Sequence, residues 1–229
     1  MPRRNPGVIS RVLSQVSTGV QSVEEHREPH AQFWDEWNQA AAAQTGPLWV
    51  ALGDSTSQGI GADDPNDVWV ARVFRWLQAE HDPNWRLINL SITGAQFSDI
   101  IEYQLPRLAA FTGDETPQLV SLLAGANNLL APGTWPTVLD DLRKILHTIP
   151  ERSVVARVGV GSPLNSVMAR RINREIEAIG AERDFKLFWP WAWPSRDGLG
   201  ADKWHPGSIG YGYMADLIKP CVEESLGLV

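Results

Sequence analysis

Four short polar blocks carry the residues able to do chemistry: Gly53-Asp54-Ser55-Thr56-Ser57-Gln58-Gly59, Thr93-Gly94-Ala95, Gly125-Ala126-Asn127-Asn128 and Asp202-Lys203-Trp204-His205-Pro206. A serine hydroxyl such as Ser55 is a poor nucleophile until a base removes its proton. His205 can be that base, because imidazole ordinarily changes charge near working pH. Asp202, three residues earlier, reaches the other ring nitrogen if the segment turns; it would fix the tautomer and stabilise the imidazolium. Acyl transfer also needs donors for the developing oxyanion. The backbone N–H groups of Ser55 and Gly94 and the side-chain amide of Asn127 are the candidates, and loss of one such donor costs roughly 10²–10³ in kcat. Gly94 has no side chain to keep an acyl group from the backbone. The bland alternatives are that Ser55 is a turn residue and that His205 caps a helix beginning near Pro206. Asp54 is read as structural, bonding nearby backbone N–H groups.

Such residues need a frame. Leu48–Leu52 is a short apolar run suited to a buried parallel strand, and Leu87–Leu90, Leu119–Leu123, Val154–Val158 and Phe185–Phe188 are read as the four strands that follow. Helical spacing is expected over Asp67–Glu80 with Asp67 as cap, and over Ser98–Leu108, Pro136–Ile149, Pro163–Arg183 and Ser208–Leu226. Strands alternating with helices imply an α/β chain with a five-stranded parallel sheet covered on both faces. Ligands of such sheets bind at the carboxyl ends of the strands. The first three polar blocks directly follow predicted strands one, two and three.

Residues 1–45 read as a helical extension, with Ile9, Val12, Leu13, Val16, Val20 and Val23 at helical spacing and a second helix near Ala31–Ala43. Thr45-Gly46-Pro47 separates it from the main domain, 46–229. Packing on its own domain is the first expectation for this extension; a partner-binding or dimerising helix and a membrane-surface helix are the others.

Composition narrows the function classes. The 229 residues carry a net charge of −7, with 43% apolar and 21% charged residues. That is globular, and it disfavours a general nucleic-acid or anionic-membrane binder. A single cysteine, Cys221, rules out an intrachain disulfide framework and a cysteine-based zinc site. The basic start at Arg3 and Arg4 is followed by no continuous apolar stretch, so a secretory signal is not expected and a cytoplasmic location is. No run approaches the ~18 apolar residues of a membrane span. The acidic loop Asp63–Asp67 lacks calcium-ligand spacing and is read as solvated loop plus helix cap. The eleven tryptophans exceed what such a chain needs. Most are expected in or against the core. Trp189, Trp191 and Trp193, after the fifth strand, and Trp204, inside the last block, are either structural or an apolar wall for an acyl or aromatic group.

The four blocks resemble the SGNH hydrolases, the GDSL esterase/lipase superfamily, whose four signature positions are matched in order by Ser55, Gly94, Asn127 and His205. Val50-Ala51-Leu52-Gly53-Asp54-Ser55 is a close match to the first block. Asp202, His205 and Pro206 match the last, which continues through Gly210 and Ala215. The resemblance covers about residues 47–225. It implies a flavodoxin-like three-layer α/β/α sandwich, a Ser–His–Asp triad, ester hydrolysis of a small acyl substrate, and no cofactor or metal. The third block departs from the pattern: Asn128 stands where the family has an aspartate. An amide still hydrogen-bonds but carries no charge, so a changed loop is expected rather than a dead enzyme. The readings that follow are a serine esterase for short- to medium-chain acyl esters, an acyltransferase or thioesterase with the same site, and a non-catalytic binding module on the same fold. The sequence leaves the oligomeric state open.

Overall fold

The computed structural model describes residues 25–112, 116–159, 166–191 and 196–228. Five strands, β1 (Leu48–Gly53), β2 (Arg86–Asn89), β3 (Leu119–Leu123), β4 (Val154–Ala156) and β5 (Lys186–Phe188), form one sheet in the order β2-β1-β3-β4-β5. Every pairing is parallel. β1 and β3 are buried along their whole length, as their predominantly apolar sequences require of central strands covered on both faces; the one polar side chain in β3, Ser121, accepts the Trp49 indole N–H at 3.0 Å. One core cluster, including Val50, Leu52, Leu122, Ile145 and Ile172, lies on one face, and a second, including Trp49, Ala51, Trp69, Tyr211 and Ile218, lies on the other. The alternation along β1 divides its side chains between them. The sheet with its two covering layers is the expected flavodoxin-like sandwich.

The helices are α1 (Arg27–Ala42), α2 (Ser55–Gln58), α3 (Trp69–Glu80), α4 (Phe97–Asp99, Ile100–Gln104 and Leu105–Thr112 in succession), α5 (Ala126–Leu129), α6 (Val138–Thr148), α7 (Ser166–Glu182) and α8 (Ser208–Leu226). The middle segment of α4 is π-helical, a widening often found near functional sites. Boundaries shift by a few residues from the sequence expectation. Asp67 does not cap α3: it lies in a 3₁₀ turn, Pro65–Asp67, and Val68 takes the cap position. Asp67 instead holds Arg72 through its backbone carbonyl and its carboxylate. The helix expected around Ile9–Val23 lies outside the described residues.

α1 packs where the sheet would otherwise end. β2 is an edge strand, and its outward backbone groups need partners. Asn38 supplies both: its amide N–H donates to the Asn89 carbonyl at 2.8 Å, and its oxygen accepts the Asn89 N–H at 2.8 Å. Trp37 Nε1 donates to the Leu87 carbonyl at 3.1 Å. Phe33, Trp34, Trp37 and Phe74 form a continuous edge-to-face aromatic cluster joining α1 to α3. Of the histidines outside the four polar blocks, His81 and His147 are exposed and His26 is half-buried. His30, 1% exposed, is not at the surface; the turn after β1 covers it.

Candidate active site

The chain leaves β1 towards β2 and returns to the other side of β1 as β3, so the crevice of this sheet opens between the carboxyl ends of β1 and β3. Ser55 follows β1 and Asn127 follows β3. Ser55 opens the four-residue helix α2, for which Asp54 is the cap: its carboxylate accepts the Thr56 N–H at 3.0 Å. The Gly53 peptide just before it is clamped on both sides by Gln104 from the π-helical turn. Gly53 N–H donates to Gln104 Oε1 at 2.9 Å, and Gln104 Nε2 donates to the Gly53 carbonyl at 2.7 Å.

His205 arrives on a tight loop between the 3₁₀ turn Arg196–Gly198 and α8, closed by an isolated antiparallel bridge between Leu199 and Pro206. Asp202 Oδ1 accepts the backbone N–H groups of Trp204 and His205, each at 3.0 Å. This puts the two side chains on the same side of the loop. Asp202 Oδ2 lies 2.6 Å from His205 Nδ1, and His205 Nε2 lies 2.9 Å from Ser55 Oγ. Burial pushes the Asp202 carboxyl up, but the bonds from the His205 ring and the two backbone N–H groups outweigh it and hold it below the usual range. With Asp202 ionised, Nδ1 carries the proton and Nε2 accepts from the Ser55 hydroxyl. Gly61 supports this loop from beneath. A Cβ there would lie 2.3 Å from the Pro206 carbonyl oxygen and 2.8 Å from His205 Cβ, so only glycine lets the two segments meet.

The loop after β2 completes the site. Asn127 Nδ2 donates to the Ala95 carbonyl at 3.1 Å and lies 3.5 Å from Asp54 Oδ2. Gly94 precedes that carbonyl and has φ +79°, in the region that favours glycine. Asn128, 1% exposed, accepts the Phe97 N–H at 3.1 Å, which is the local structural bond expected of an amide at that position. The structure thus gathers Ser55, Gly94, Asn127, Asp202 and His205 at one end of the sheet. Trp204, 48% exposed, stands between the two loop residues. Trp189, 37% exposed, and Trp191 leave the sheet at β5, three strand spacings or about 14 Å from β1; Trp191 packs over Gly159. Trp193 lies outside the described residues. Among those residues no group of histidine, cysteine, aspartate or glutamate could hold a metal ion, and no helix is long and apolar enough to cross a membrane. Cys221 is half-buried, with burial pushing its thiol up.

Asp54 is 2% exposed, and burial lifts its carboxyl to about 6, against the lowering effects of Thr56 and His205. The folded protein therefore holds this proton more tightly than the unfolded chain does. The resulting stability is present below the ordinary carboxylate range and is lost as pH rises through about 6. Asp54→Asn keeps an oxygen for the Thr56 N–H and cannot titrate. Between pH 3 and 7 the stability of the variant relative to wild type is expected to rise by on the order of 3 kcal/mol. Urea unfolding at a series of pH values measures it, and parallel curves would contradict the assignment.

Residues 51–213 match the model of the GDSL-like lipase/acylhydrolase family, so the chain belongs to that family of ester-hydrolysing enzymes. No curated protein sequence gives a significant match. Similar solved structures include TesA, with 22% identity, a TM-score of 0.62, and coverage of 78% of this chain and 99% of that one. The psychrotrophic esterase EstA from Pseudoalteromonas sp. has 18% identity and a TM-score of 0.62, over 80% of this chain and 100% of that one. Axe2, an acetylxylan esterase from Geobacillus stearothermophilus, has 16% identity and a TM-score of 0.55, over 80% of this chain and 95% of that one. At these identities the likeness is one of fold.

Proposed function

We propose that the protein is a serine esterase for short- to medium-chain acyl esters, with Ser55 as nucleophile, His205 as general base and acid, and Asp202 as the group that orients His205. The observation that carries this reading is the continuous hydrogen-bonded line Asp202–His205–Ser55, at 2.6 and 2.9 Å. Ser55 Oγ attacks the ester carbonyl while His205 Nε2 takes its proton. The oxyanion is held by the backbone N–H groups of Ser55 and Gly94 and by Asn127 Nδ2. Collapse of the tetrahedral species expels the alcohol, which takes the proton from His205. Water, deprotonated in turn by His205, then attacks the acyl-enzyme and releases the acid and Ser55. The family membership supports ester hydrolysis. The exposed Trp204 supports an apolar group beside the reacting carbonyl, with Trp189 and Trp191 in reach of only the far end of a longer acyl or alcohol part.

The test is covalent. A fluorophosphonate probe is expected to add once per chain, and peptide mass spectrometry should place the adduct on Ser55. An adduct on another residue, or none under conditions that label a control serine esterase, would overturn the assignment.

A further inference from the structure

α1 lies outside the segment that matches the family, residues 51–213, yet it is bonded into the turn that carries Ser55. α2 has only four residues, so its final carbonyls have no helical partner. Asn89 Nδ2 takes the Ser57 carbonyl at 3.0 Å, and Trp34 Nε1 takes the Gln58 carbonyl at 2.9 Å, with His30 Nδ1 at 3.4 Å from the same oxygen. The Gln58 side chain, 3% exposed overall, points the other way along the chemistry. Its Oε1 accepts the Thr93 N–H at 2.9 Å and also the Thr93 hydroxyl, using both lone pairs. Thr93 is the residue before Gly94. Gln58 is therefore held at its main-chain oxygen by the N-terminal helix, and its side-chain oxygen holds the loop that presents Gly94.

We propose that α1 is part of the catalytic frame: Trp34 and Gln58 are positioning residues, forming a relay Trp34–Gln58–Thr93 that fixes the Gly94 N–H relative to Ser55. This rests on the oxyanion role given to Gly94 above. The relay ties the nucleophile turn and the oxyanion loop to one side chain, so their separation is set by hydrogen bonds from a helix beyond the matched family segment. Oxyanion donors act through geometry, and displacement of a group by about 1 Å can cost 10²-fold. The relay consequently affects the tetrahedral state more than it affects substrate binding.

The experiment compares wild type with Gln58→Met, Thr93→Val, Thr93→Ser and Trp34→Phe on p-nitrophenyl acetate, with active sites counted by fluorophosphonate and Ser55→Ala run in parallel. Trp34→Phe keeps an aromatic ring against Phe33 and Trp37 and removes the N–H together with part of the buried indole, whose packing loss is read from the melting temperature and the labelled fraction rather than from kcat per labelled site. Per labelled site, kcat is expected to fall about 100-fold in Gln58→Met and about tenfold in Thr93→Val and Trp34→Phe, with KM within about twofold. Thr93→Ser, which keeps the hydroxyl, recovers most of the rate. Inhibition by phenylboronic acid, which forms a tetrahedral adduct, weakens in proportion to kcat. The double variant Trp34→Phe/Gln58→Met loses no more than Gln58→Met alone, since both act through one relay. A purely structural role would lower the labelled fraction or the melting temperature without changing kcat per labelled site. That result, a rise in KM at unchanged kcat, or equal losses in Thr93→Ser and Thr93→Val would overturn the relay. If Gln58→Met does not fold, the Thr93 pair decides. If Ser55→Ala is inactive while the relay variants match wild type, only the relay fails; if Ser55→Ala keeps wild-type turnover, the site reading falls and the relay with it.

Discussion

Ser55→Ala is expected to lower kcat/KM on p-nitrophenyl esters by at least about 10⁴-fold, leaving a residue of activity from the oxyanion donors and substrate binding. The substitution removes one oxygen from a residue only 7% exposed, so the fold should be retained and the thermal transition should move little. The remaining elements of the turn do not depend on that oxygen: Asp54 still caps α2, Gln104 still clamps Gly53, and the Ser55 carbonyl still accepts from Gly59 and Ile60. Initial rates from acetate to decanoate, wild type beside variant, measure both the loss and the chain-length optimum. Equal rates in the two proteins would remove Ser55 from the mechanism. An optimum at long chains would contradict the short- to medium-chain assignment and would give Trp189 and Trp191 a larger part in binding.

The second large effect is expected from Asp202→Asn, a loss of about 10⁴-fold in kcat with an intact fold. Asparagine keeps an oxygen for the Trp204 and His205 N–H groups, so the loop is preserved. Its Nδ2 then faces His205 Nδ1, where the carboxylate Oδ2 had been at 2.6 Å. Two donors cannot share that contact. Nδ1 must lose its hydrogen and Nε2 must gain one, and Nε2 can no longer accept from Ser55. The pH behaviour follows from the same pair. The Asp202 carboxyl sits below its usual range because bonds to the ionised form outweigh its burial. Its contribution to stability is therefore present above the ordinary carboxylate range and is lost as pH falls through the depressed value. Acid unfolding of wild type should show this loss, and Asp202→Asn should not. A variant with wild-type kcat, or one that fails to fold at neutral pH, would refute the orienting role.

The four polar blocks could be read without coordinates because the chemistry requires particular residue types and the strands place them at one end of a sheet. Local patterns gave the strands to within a residue or two, and α8 from Ser208 to Leu226 agrees at both ends. What holds the blocks together was not legible. Gln58, Asn89 and Gln104 are ordinary amides in sequence, and their roles depend on partners 35, 32 and 51 residues away. Asn89, closing an apolar strand, was the one readable hint, since a buried amide needs a partner; nothing in the sequence says which. His30 carries no burial signal in the sequence, because the helix that holds it is largely polar. Its burial comes from the turn after β1, a contact that periodicity does not reveal. Asp67 had the right chemistry for a cap and lost that place because the preceding Pro65 starts a 3₁₀ turn.

Four of the bonds that support the nucleophile have a common character. Gln104 grips Gly53, Asn89 grips Ser57, Gln58 grips Thr93, and Asn38 grips Asn89. Each grip is a neutral amide on the main chain or on a hydroxyl, and none has a proton to gain or lose in water's usual range. Salt screens charges far more than it screens such buried dipoles. These grips are in this sense deaf to acidity and ionic strength, while the carboxyls beside them, Asp54 and Asp202, respond to acidity. A change of pH therefore acts on the nucleophile turn through its Asp54 cap and on the His205 loop through Asp202, while the amide grips stay in place.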